Sequence, residues 1–209
     1  MPEFVAWGLA LTASYLIGAI PFGLLVGRLM HRVDIRTVGS GNVGATNTLR
    51  ALGWRAAALV FLGDVGKAAI AVMLGSLLIG TSIGMGLCAV AAIAGHNWSI
   101  YINWRGGRGV SSAFGSLLAI SWPTALISLL VAVGITLGTR YVSLGSIVGT
   151  LVGLIAVIVL VSQGYLSDGY LVYAPITAAL VIFQHRDNIR RLVLGTERKL
   201  GDSGKPASG

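Results

Sequence analysis

The stretch VSSAFGSLLAISWPTALISLLVAVGITLGT, residues 110–139, contains no charged side chain. A helix rises about 1.5 Å per residue and a bilayer core is ~30 Å thick, so this stretch is too long for one membrane span and short for two. Ser121-Trp122-Pro123 interrupts it, because proline cannot continue a helix and restrains the residue before it. We therefore predict a short fourth span, Val110–Ile120, that begins in buried polar structure, and an ordinary fifth span after Pro123.

The whole chain has the composition of an integral membrane protein. Only 11% of its 209 residues are charged, against about 25% in soluble domains, and the mean hydropathy is +0.84. The first apolar stretch is too long for a signal peptide and lacks a cationic start, so it is predicted to be a span. The stretches do not alternate in polarity as barrel strands would. The remaining predicted spans are 4–27, 56–79, 83–96, 144–162 and 165–184.

These observations predict an all-α, polytopic membrane protein with about seven transmembrane helices, one of them short or broken. There is room for a single domain over residues 1–200, with a disordered Gly/Ser/Pro-rich tail over 201–209. The one cysteine, Cys88, lies in an apolar run, which favours core packing and excludes an intrachain disulfide. The oligomeric state is left open, a monomer included.

The distribution of positive charge predicts the orientation. The loops near Gly80, Ser121 and Gly164 contain no Lys or Arg, whereas the loops on the other side are cationic. Positive charge marks the cytoplasm, so the N-terminus is predicted outside and the C-terminus inside. The same rule accounts for most of the net charge of +8, so nucleic acid is not expected as a partner. The cytoplasmic cations are Arg28, Arg32, Arg36, Arg50, Arg55, Arg105, Arg108, Arg140 and those from Arg186 to Lys205.

The first cytoplasmic segment reads Gly39-Ser-Gly-Asn-Val-Gly-Ala-Thr-Asn47, with Arg50 shortly after it. Glycines allow tight turns and close approach, so successive N–H groups can point at one anion, and Arg50 adds a guanidinium suited to phosphate. The glycines also fit G-x-G-x-x-G, but no strand precedes them, which excludes a dinucleotide site. An ordinary polar turn is the alternative. The anion-site candidates are Ser40, Gly41, Asn42, Gly44, Thr46, Asn47 and Arg50.

The second cytoplasmic segment reads GHNWSIYINWRGGRG, residues 95–109. Two arginines bracket a Gly-Gly pair at the start of the short fourth helix, where free N–H groups and the helix dipole favour an anion. Arg105 could equally be a solvated loop charge, and the histidine could equally be an ordinary interfacial residue. The candidates here are His96, Gly106, Gly107 and Arg108.

Two further segments add candidates. Arg140-Tyr-Val-Ser-Leu-Gly-Ser146 offers Ser143, which could also be a helix N-cap. The amphipathic segment 185–199 places His185 and Asn188 three residues apart, on one face of a helix. The other cations of that segment are predicted to face solvent or lipid headgroups: Arg190, Arg191, Arg198 and Lys199.

The second span contains Asp64 and Lys67, one helical turn apart, and they are predicted to pair. An intramembrane ion pair indicates function, although a purely structural role fits equally well. Three histidines far apart in sequence and one cysteine do not form a metal-ligand set, so neither a metal nor a cofactor is expected.

Taken together, these segments resemble the PlsY family of bacterial acyl-phosphate:glycerol-3-phosphate acyltransferases. The resemblance runs in order through most of the chain, although the family usually has Lys at Arg108, often Pro at Ser99, and Gly at Ala68. The matching residues are Ser40-Gly-Asn-Val-Gly-Ala-Thr-Asn47 with Arg50, Gly95-His96, Gly106-Gly-Arg-Gly-Val110, Arg140-Tyr-Val-Ser-Leu144, His185-Arg-Asp-Asn-Ile-Arg-Arg-Leu192, Gly195 and Glu197.

The resemblance implies a plasma-membrane enzyme that moves an acyl group from acyl phosphate to glycerol 3-phosphate, without metal or acyl-CoA. It implies one active site at the cytoplasmic face, lined by Ser40, Thr46, Arg50, Arg108, Ser143, His185 and Asn188. Either His185 or the leaving phosphate would accept the hydroxyl proton. The alternatives are a transporter or channel for a small anion, which would need polar residues at both faces, and a non-enzymatic headgroup-binding subunit.

Overall fold

The computed structural model describes residues 1–201, and its regular structure over that range is entirely helical. The predicted C-terminal tail, apart from Gly201, lies outside the described residues. Short 3₁₀ turns cover Ile35–Thr37 and Ile100–Ile102. The α-helices are α1 (Glu3–Ala19), α2 (Phe22–His31), α3 (Ala45–Leu52), α4 (Trp54–Leu78), α5 (Ser82–Asn97), α6 (Val110–Ile120), α7 (Trp122–Thr139), α8 (Val142–Ser162), α9 (Tyr170–Gln184) and α10 (Arg186–Val193).

Within residues 1–201, five helical stretches are long and apolar enough to cross a membrane. Two shorter apolar helices, α6 and α9, accompany them, which gives the seven predicted segments. The all-helical membrane fold is therefore confirmed. The break predicted between the fourth and fifth segments falls at Ser121, and Pro123 lies in the first turn of α7, where its missing N–H costs no hydrogen bond. The five long stretches are Glu3–His31, Trp54–Leu78, Ser82–Ile102, Trp122–Thr139 and Val142–Ser162.

The first span is not the continuous helix that we predicted over 4–27. It breaks between α1 and α2, because Pro21 lacks an N–H and cannot continue the hydrogen-bond ladder of α1. The break takes the carbonyl of Ile20 out of the helical ladder, and this carbonyl accepts from the N–H of Phe22 at 3.1 Å and from the ammonium of Lys67 in α4 at 2.9 Å. The helix then continues as α2 to His31, beyond the predicted end.

The seventh span also differs from its prediction at its start. The sequence indicated a helix from Tyr165, but α9 begins at Tyr170. Gly164 has a φ of +76°, and Tyr170 donates its N–H to the carbonyl of Ser167, so a compact turn occupies the intervening residues. The remaining helix of 15 residues is short for a span, like α6.

The core lies between the long helices. Val72 of α4, Ile93 of α5, Leu117 of α6, Leu154 of α8 and Tyr173 of α9 are fully buried and belong to one cluster. Large apolar side chains such as Leu62, Leu77, Leu130 and Leu137 are exposed on the outer surface, as expected for helices that contact lipid. Because successive helices alternate in direction, the α2–α3, α5–α6, α7–α8 and α9–α10 junctions meet at the same end of the bundle.

Candidate active site

One cavity of about 890 Å³ lies at the end of the bundle where the four junctions meet. All four cytoplasmic segments predicted from the sequence contribute to its wall, so residues separated by almost 150 positions are brought together. The predicted site residues that line it are Ser40, Gly41, Asn42, Gly44, Thr46, Asn47, Arg50, His96, Gly106, Gly107, Arg108, Ser143, His185 and Asn188.

Asn47 shapes the first wall of the cavity. Its side-chain oxygen accepts the backbone N–H of Ser40 at 2.8 Å, and its amide nitrogen donates to the carbonyls of Ile35, Val38 and Asn42 at 2.9–3.1 Å. Gly39, with φ of +61°, turns the chain directly against this amide, and a side chain there would collide with it. Asn47 therefore holds the loop in shape, and its own polar atoms are used within the chain.

The groups of the first loop that remain for a ligand are mainly hydroxyls. Asn42 accepts the N–H of Gly44 at 2.9 Å, which also removes that donor from the cavity. The hydroxyls of Ser40 and Thr46 have no hydrogen-bond partner among the described residues. Thr46 lies in the first turn of α3, where backbone N–H groups have no partner within the helix, and Arg50 follows one turn later.

The Gly106-Gly107 turn forms the second wall. Gly106 donates its N–H to the carbonyl of Asn97 at 3.1 Å, and Gly107 donates to the carbonyl of His96 at 2.9 Å. These two N–H groups are thus not presented to the cavity. A side chain at Gly107 would collide with Nε2 of His96, so glycine is required where the turn passes the imidazole.

Arg108 follows this turn and is half-buried in the cavity wall. Burial lowers the pKa of its guanidinium from the ordinary value, and the nearby Glu197 carboxylate opposes that shift. An arginine remains charged despite such a shift, because its ordinary pKa is above 12. Arg108 is therefore a permanent cation in a partly desolvated position, where attraction to an anion is strong.

Glu197 organises the third and fourth segments. One carboxylate oxygen accepts the hydroxyl of Ser143 at 2.8 Å and the amide of Asn188 at 2.6 Å, while the other pairs with Arg191 at 2.7 Å. Burial would raise the pKa of Glu197, but these three donors outweigh it, so the pKa lies below the ordinary value. Ser143 and Asn188 are thus held in place by a residue that follows them in the chain.

His185 lies at the junction of α9 and α10 and is almost completely buried. Its Nδ1 is 2.8 Å from the carbonyl of Val181 and must donate to it, which leaves Nε2 as an acceptor. Burial lowers the pKa of His185 to about 4, and the nearby Arg108 acts in the same direction. The imidazole is therefore neutral at physiological pH.

The comparisons with known proteins agree with this geometry. The family model described as "Glycerol-3-phosphate acyltransferase" matches residues 8–195. This chain belongs to that family. The enzyme is 42% identical over 188 residues to the glycerol-3-phosphate acyltransferase of Thermoanaerobacter pseudethanolicus, covering 90% of this chain and 92% of the relative. It is 46% identical over 197 residues to glycerol-3-phosphate acyltransferase 2 of Moorella thermoacetica, covering 94% of this chain and 98% of the relative.

Solved structures place this acyltransferase in the same family. Its fold matches the crystal structure of PlsY (YgiH), an integral membrane glycerol 3-phosphate acyltransferase in its glycerol 3-phosphate form, with a TM-score of 0.84 and 38% sequence identity. The match covers 93% of this chain and 96% of that chain. The lysophosphatidic acid form matches equally well, at 37% identity. The resemblance to PlsY is thus confirmed, and the chain is an acyltransferase rather than a channel or a headgroup-binding subunit.

The structure also identifies residues of this acyltransferase that the sequence analysis did not place in the site. Arg191 was predicted to face solvent or lipid headgroups, but it pairs with Glu197 and lines the cavity, as does Arg198. The signal for Glu197 was its position as one of two acids, with Asp187, in a strongly basic segment. Asp34 and Arg36 form the outer rim, and Arg36 donates to both carboxylate oxygens of Asp34.

The predicted pair of Asp64 and Lys67 is present at the inner end of the cavity. Their charged atoms are 2.7 Å apart and both side chains are 2% exposed. His96 joins them, with Nδ1 at 2.9 Å from the ammonium and 3.3 Å from the carboxylate. Asp64 and His96 line the cavity and form its floor, and Lys67 lies next to them.

Proposed function

We propose that this enzyme transfers a fatty acyl group from acyl phosphate to glycerol 3-phosphate, giving lysophosphatidic acid and inorganic phosphate. The observation that carries the proposal is the single cavity at which four distant segments converge, with arginines on several sides. The glycerol 3-phosphate and lysophosphatidic acid forms of the related PlsY structure supply the chemistry of acceptor and product. This reaction is the first acylation step of phospholipid synthesis.

The two substrates each carry a phosphate, and their mutual repulsion must be offset before they can react. Arg50 and Arg108 lie on different walls of the cavity and supply fixed positive charge on both sides. The hydroxyls of Ser40 and Thr46, together with the first turn of α3, add neutral donors. Holding both substrates in one partly desolvated site converts a bimolecular encounter into an intramolecular reaction.

The chemical step follows from the reactivity of the donor. An acyl phosphate is a mixed anhydride, so the glycerol hydroxyl attacks its carbonyl carbon and forms the new ester. The bond from that carbon to the phosphate oxygen breaks, and phosphate leaves. No covalent intermediate on the enzyme is needed.

The proton of the attacking hydroxyl goes to the departing phosphate in this proposal. Nε2 of His185 is an acceptor and can orient the hydroxyl, but a pKa of about 4 makes it a weak base. A phosphate monoester has a second pKa near ~6, which makes it the stronger base by about two units. His185 therefore aligns the nucleophile, and the substrate takes the proton.

The cavity is proposed to open to the cytoplasm of a bacterial cell, with the enzyme passing several times through the plasma membrane. The positively charged loops gather at the end of the bundle that contains the cavity, and positive charge marks the cytoplasmic side. Phe61, Val110 and Val142 give the cavity wall apolar sections next to the lipid-facing helices. The acyl chain would leave the site past these side chains, with its carbonyl carbon near the arginines.

The donor is tested with purified enzyme in detergent, labelled glycerol 3-phosphate and palmitoyl phosphate. We expect lysophosphatidic acid to form in the presence of a metal chelator and without acyl carrier protein. Palmitoyl-CoA in place of palmitoyl phosphate is expected to give no product. Product formed only from palmitoyl-CoA would contradict the proposed donor while leaving the acyltransferase activity in place.

A matched pair of variants at Arg108 tests the phosphate site. Arg108→Lys keeps the charge and loses the forked geometry, whereas Arg108→Met removes the charge at similar length. We expect kcat/KM to fall at least about tenfold more in Arg108→Met than in Arg108→Lys, because a charge-assisted hydrogen bond is lost. Equal losses in the two variants would show that the charge at this position is not what the substrates need.

A further inference from the structure

A buried ammonium lies next to the floor of the cavity, with two hydrogen-bond partners and one ion-pair partner. Nζ of Lys67 is 2.7 Å from Oδ1 of Asp64, 2.9 Å from the carbonyl of Ile20 and 2.9 Å from Nδ1 of His96. These partners come from α4, the α1–α2 break and α5. An ammonium has three N–H donors and no acceptor, so each hydrogen-bond partner of Nζ must accept.

The position of the ammonium decides which nitrogen of His96 carries the proton. Nδ1 could donate to Asp64, from which it is 3.3 Å distant, or accept from Lys67 at the shorter distance. A proton on Nδ1 would be directed toward the N–H groups of the ammonium, which has no lone pair to accept it. Nδ1 must therefore be unprotonated, and the proton resides on Nε2.

Nε2 lies at the edge of the ring that packs against the Gly106-Gly107 turn in the cavity wall. It is the atom with which a side chain at Gly107 would collide, and both His96 and Gly107 line the cavity. Nε2 makes no hydrogen bond to another residue within 1–201. His185, across the site, has the opposite arrangement. Its Nδ1–H donates a hydrogen bond to the carbonyl of Val181, and its Nε2 is left as an acceptor.

We propose that Lys67 is a positioning residue that fixes His96 as the neutral Nε2–H tautomer, so that His96 donates a hydrogen bond to a substrate phosphate. The phosphate belongs either to glycerol 3-phosphate or to the acyl phosphate, since both carry the same group. The inference rests on the proposed function only for this ligand. The tautomer itself is a property of the enzyme without substrate.

The tautomer is tested by NMR of enzyme labelled with ¹⁵N-histidine. An unprotonated imidazole nitrogen resonates far downfield of a protonated one, and His96→Gln identifies the signals of His96 among the three histidines. We expect an unprotonated Nδ1 and a protonated Nε2 in the unmodified protein. A protonated Nδ1 would overturn the proposal, whatever the catalytic results, and would leave the acyl-transfer reaction unaffected.

Lys67→Met tests whether Lys67 is the cause. Without the ammonium, the carboxylate of Asp64 becomes the nearest partner of Nδ1, so we expect the proton to be found on Nδ1 in this variant. An unchanged His96 spectrum in correctly folded Lys67→Met would overturn the role of Lys67. If this variant does not fold, the spectrum of the unmodified protein and the variants of His96 still decide the proposal.

Two substitutions of His96 separate donation to the ligand from a structural role. In His96→Asn, the side-chain oxygen lies near the position of Nδ1 and can accept from Lys67, but no group occupies the position of Nε2. In His96→Gln, the side-chain NH₂ group can donate from near the position of Nε2. We expect His96→Asn to raise a substrate KM roughly ten- to hundredfold with a smaller change in kcat, and His96→Gln to raise it less.

The KM of each substrate distinguishes the source of the phosphate. A rise confined to glycerol 3-phosphate assigns the hydrogen bond to the acceptor, and a rise confined to palmitoyl phosphate assigns it to the donor. If His96→Asn kept both KM values while His96→Gln raised them, His96 would serve only as an acceptor for Lys67. That result would overturn the proposed donation.

Discussion

Two aspartates, each with two cationic or potentially cationic partners, lie at opposite ends of the cavity. Asp34 at the rim contacts Arg28 at 2.9 Å and Arg36 at 2.7 Å, with exposed fractions of 23%, 57% and 34% for the three side chains. Asp64 at the floor contacts Lys67 at 2.7 Å and His96 at 3.3 Å, and these side chains are only 2–6% exposed. The distances are similar, and the difference is access to water.

That difference decides what each cluster can contribute. Water and salt screen exposed ion pairs, which typically stabilise a protein by about 0–1 kcal/mol. A buried pair gains little net energy because its charges lose hydration, yet removal of one partner is costly, since the other charge stays buried. We infer that the rim cluster is replaceable, whereas the floor cluster must be kept or removed as a unit.

The largest expected effect comes from breaking the floor cluster on one side. Lys67→Met leaves the carboxylate of Asp64 buried without its ammonium and removes one of the two donors to the carbonyl of Ile20, so we expect a loss of about 3–5 kcal/mol in stability. The measurement is the midpoint of thermal denaturation in detergent. The double variant Asp64→Asn/Lys67→Met removes both charges and should recover most of the loss. A double variant as unstable as Lys67→Met would contradict the argument from an uncompensated charge.

A second test uses His185, a buried group that forms no ion pair within residues 1–201. Burial lowers the pKa of His185 to about 4, below the ordinary value of 6.5. Between these two pH values the unfolded chain binds more protons than the folded protein, so stability falls as the pH falls from 6.5 towards 4. The loss attributable to His185 reaches about 3 kcal/mol, since one pKa unit corresponds to about 1.36 kcal/mol.

The pH dependence of denaturation measures this loss, and His185→Gln is the control. Gln does not titrate, so its stability should decrease less than that of the unmodified enzyme over the same range. Identical pH profiles for the two proteins would show that His185 accepts a proton as easily when folded as when unfolded.

The sequence was sufficient for the parts of the fold that depend on local composition. Long apolar stretches predicted the helical segments, because a segment that crosses lipid must satisfy the hydrogen bonds of its own backbone. Pro21 shows where this reasoning failed. The carbonyl of Ile20 leaves the helical hydrogen-bond ladder at this break and accepts from the N–H of Phe22 and from Lys67, and the second donor lies 47 positions away.

The site also has parts that could be predicted from local sequence and parts that could not. Glycine-rich turns with nearby arginines have a local signature, so they identified the residues that line the cavity. The partners of those residues could not be identified, because they depend on tertiary packing. Glu197 is 54 positions from Ser143, and His96 is 29 positions from Lys67. An acid in a basic segment and a histidine at the end of an apolar helix were the available signals.

Glu197 sharpens the comparison because it is nearly as buried as the floor cluster, whereas its cationic partner Arg191 is 39% exposed. The side chain of Glu197 is 7% exposed, and three donors converge on it from Ser143, Asn188 and Arg191. Glu197→Gln removes the charge and places an NH₂ group against those donors, so we expect a loss of about 2 kcal/mol in stability and about tenfold or more in kcat/KM. Glu3→Gln, at an exposed position, is the control and should change neither quantity. Full activity of Glu197→Gln would show that Ser143 and Asn188 keep their positions without the carboxylate.

The smallest effect is expected at the rim. The side chain and backbone N–H of Arg36 hold the pKa of Asp34 well below its usual range, but water surrounds the cluster and weakens its contribution to stability. Asp34→Asn keeps an oxygen that can accept from Arg36, so we expect a thermal midpoint close to that of the unmodified enzyme and a small, salt-dependent change in the KM for glycerol 3-phosphate. Denaturation and kinetics at low and high ionic strength provide the measurement. A loss of stability comparable to that of Lys67→Met would mean that burial does not separate the two clusters.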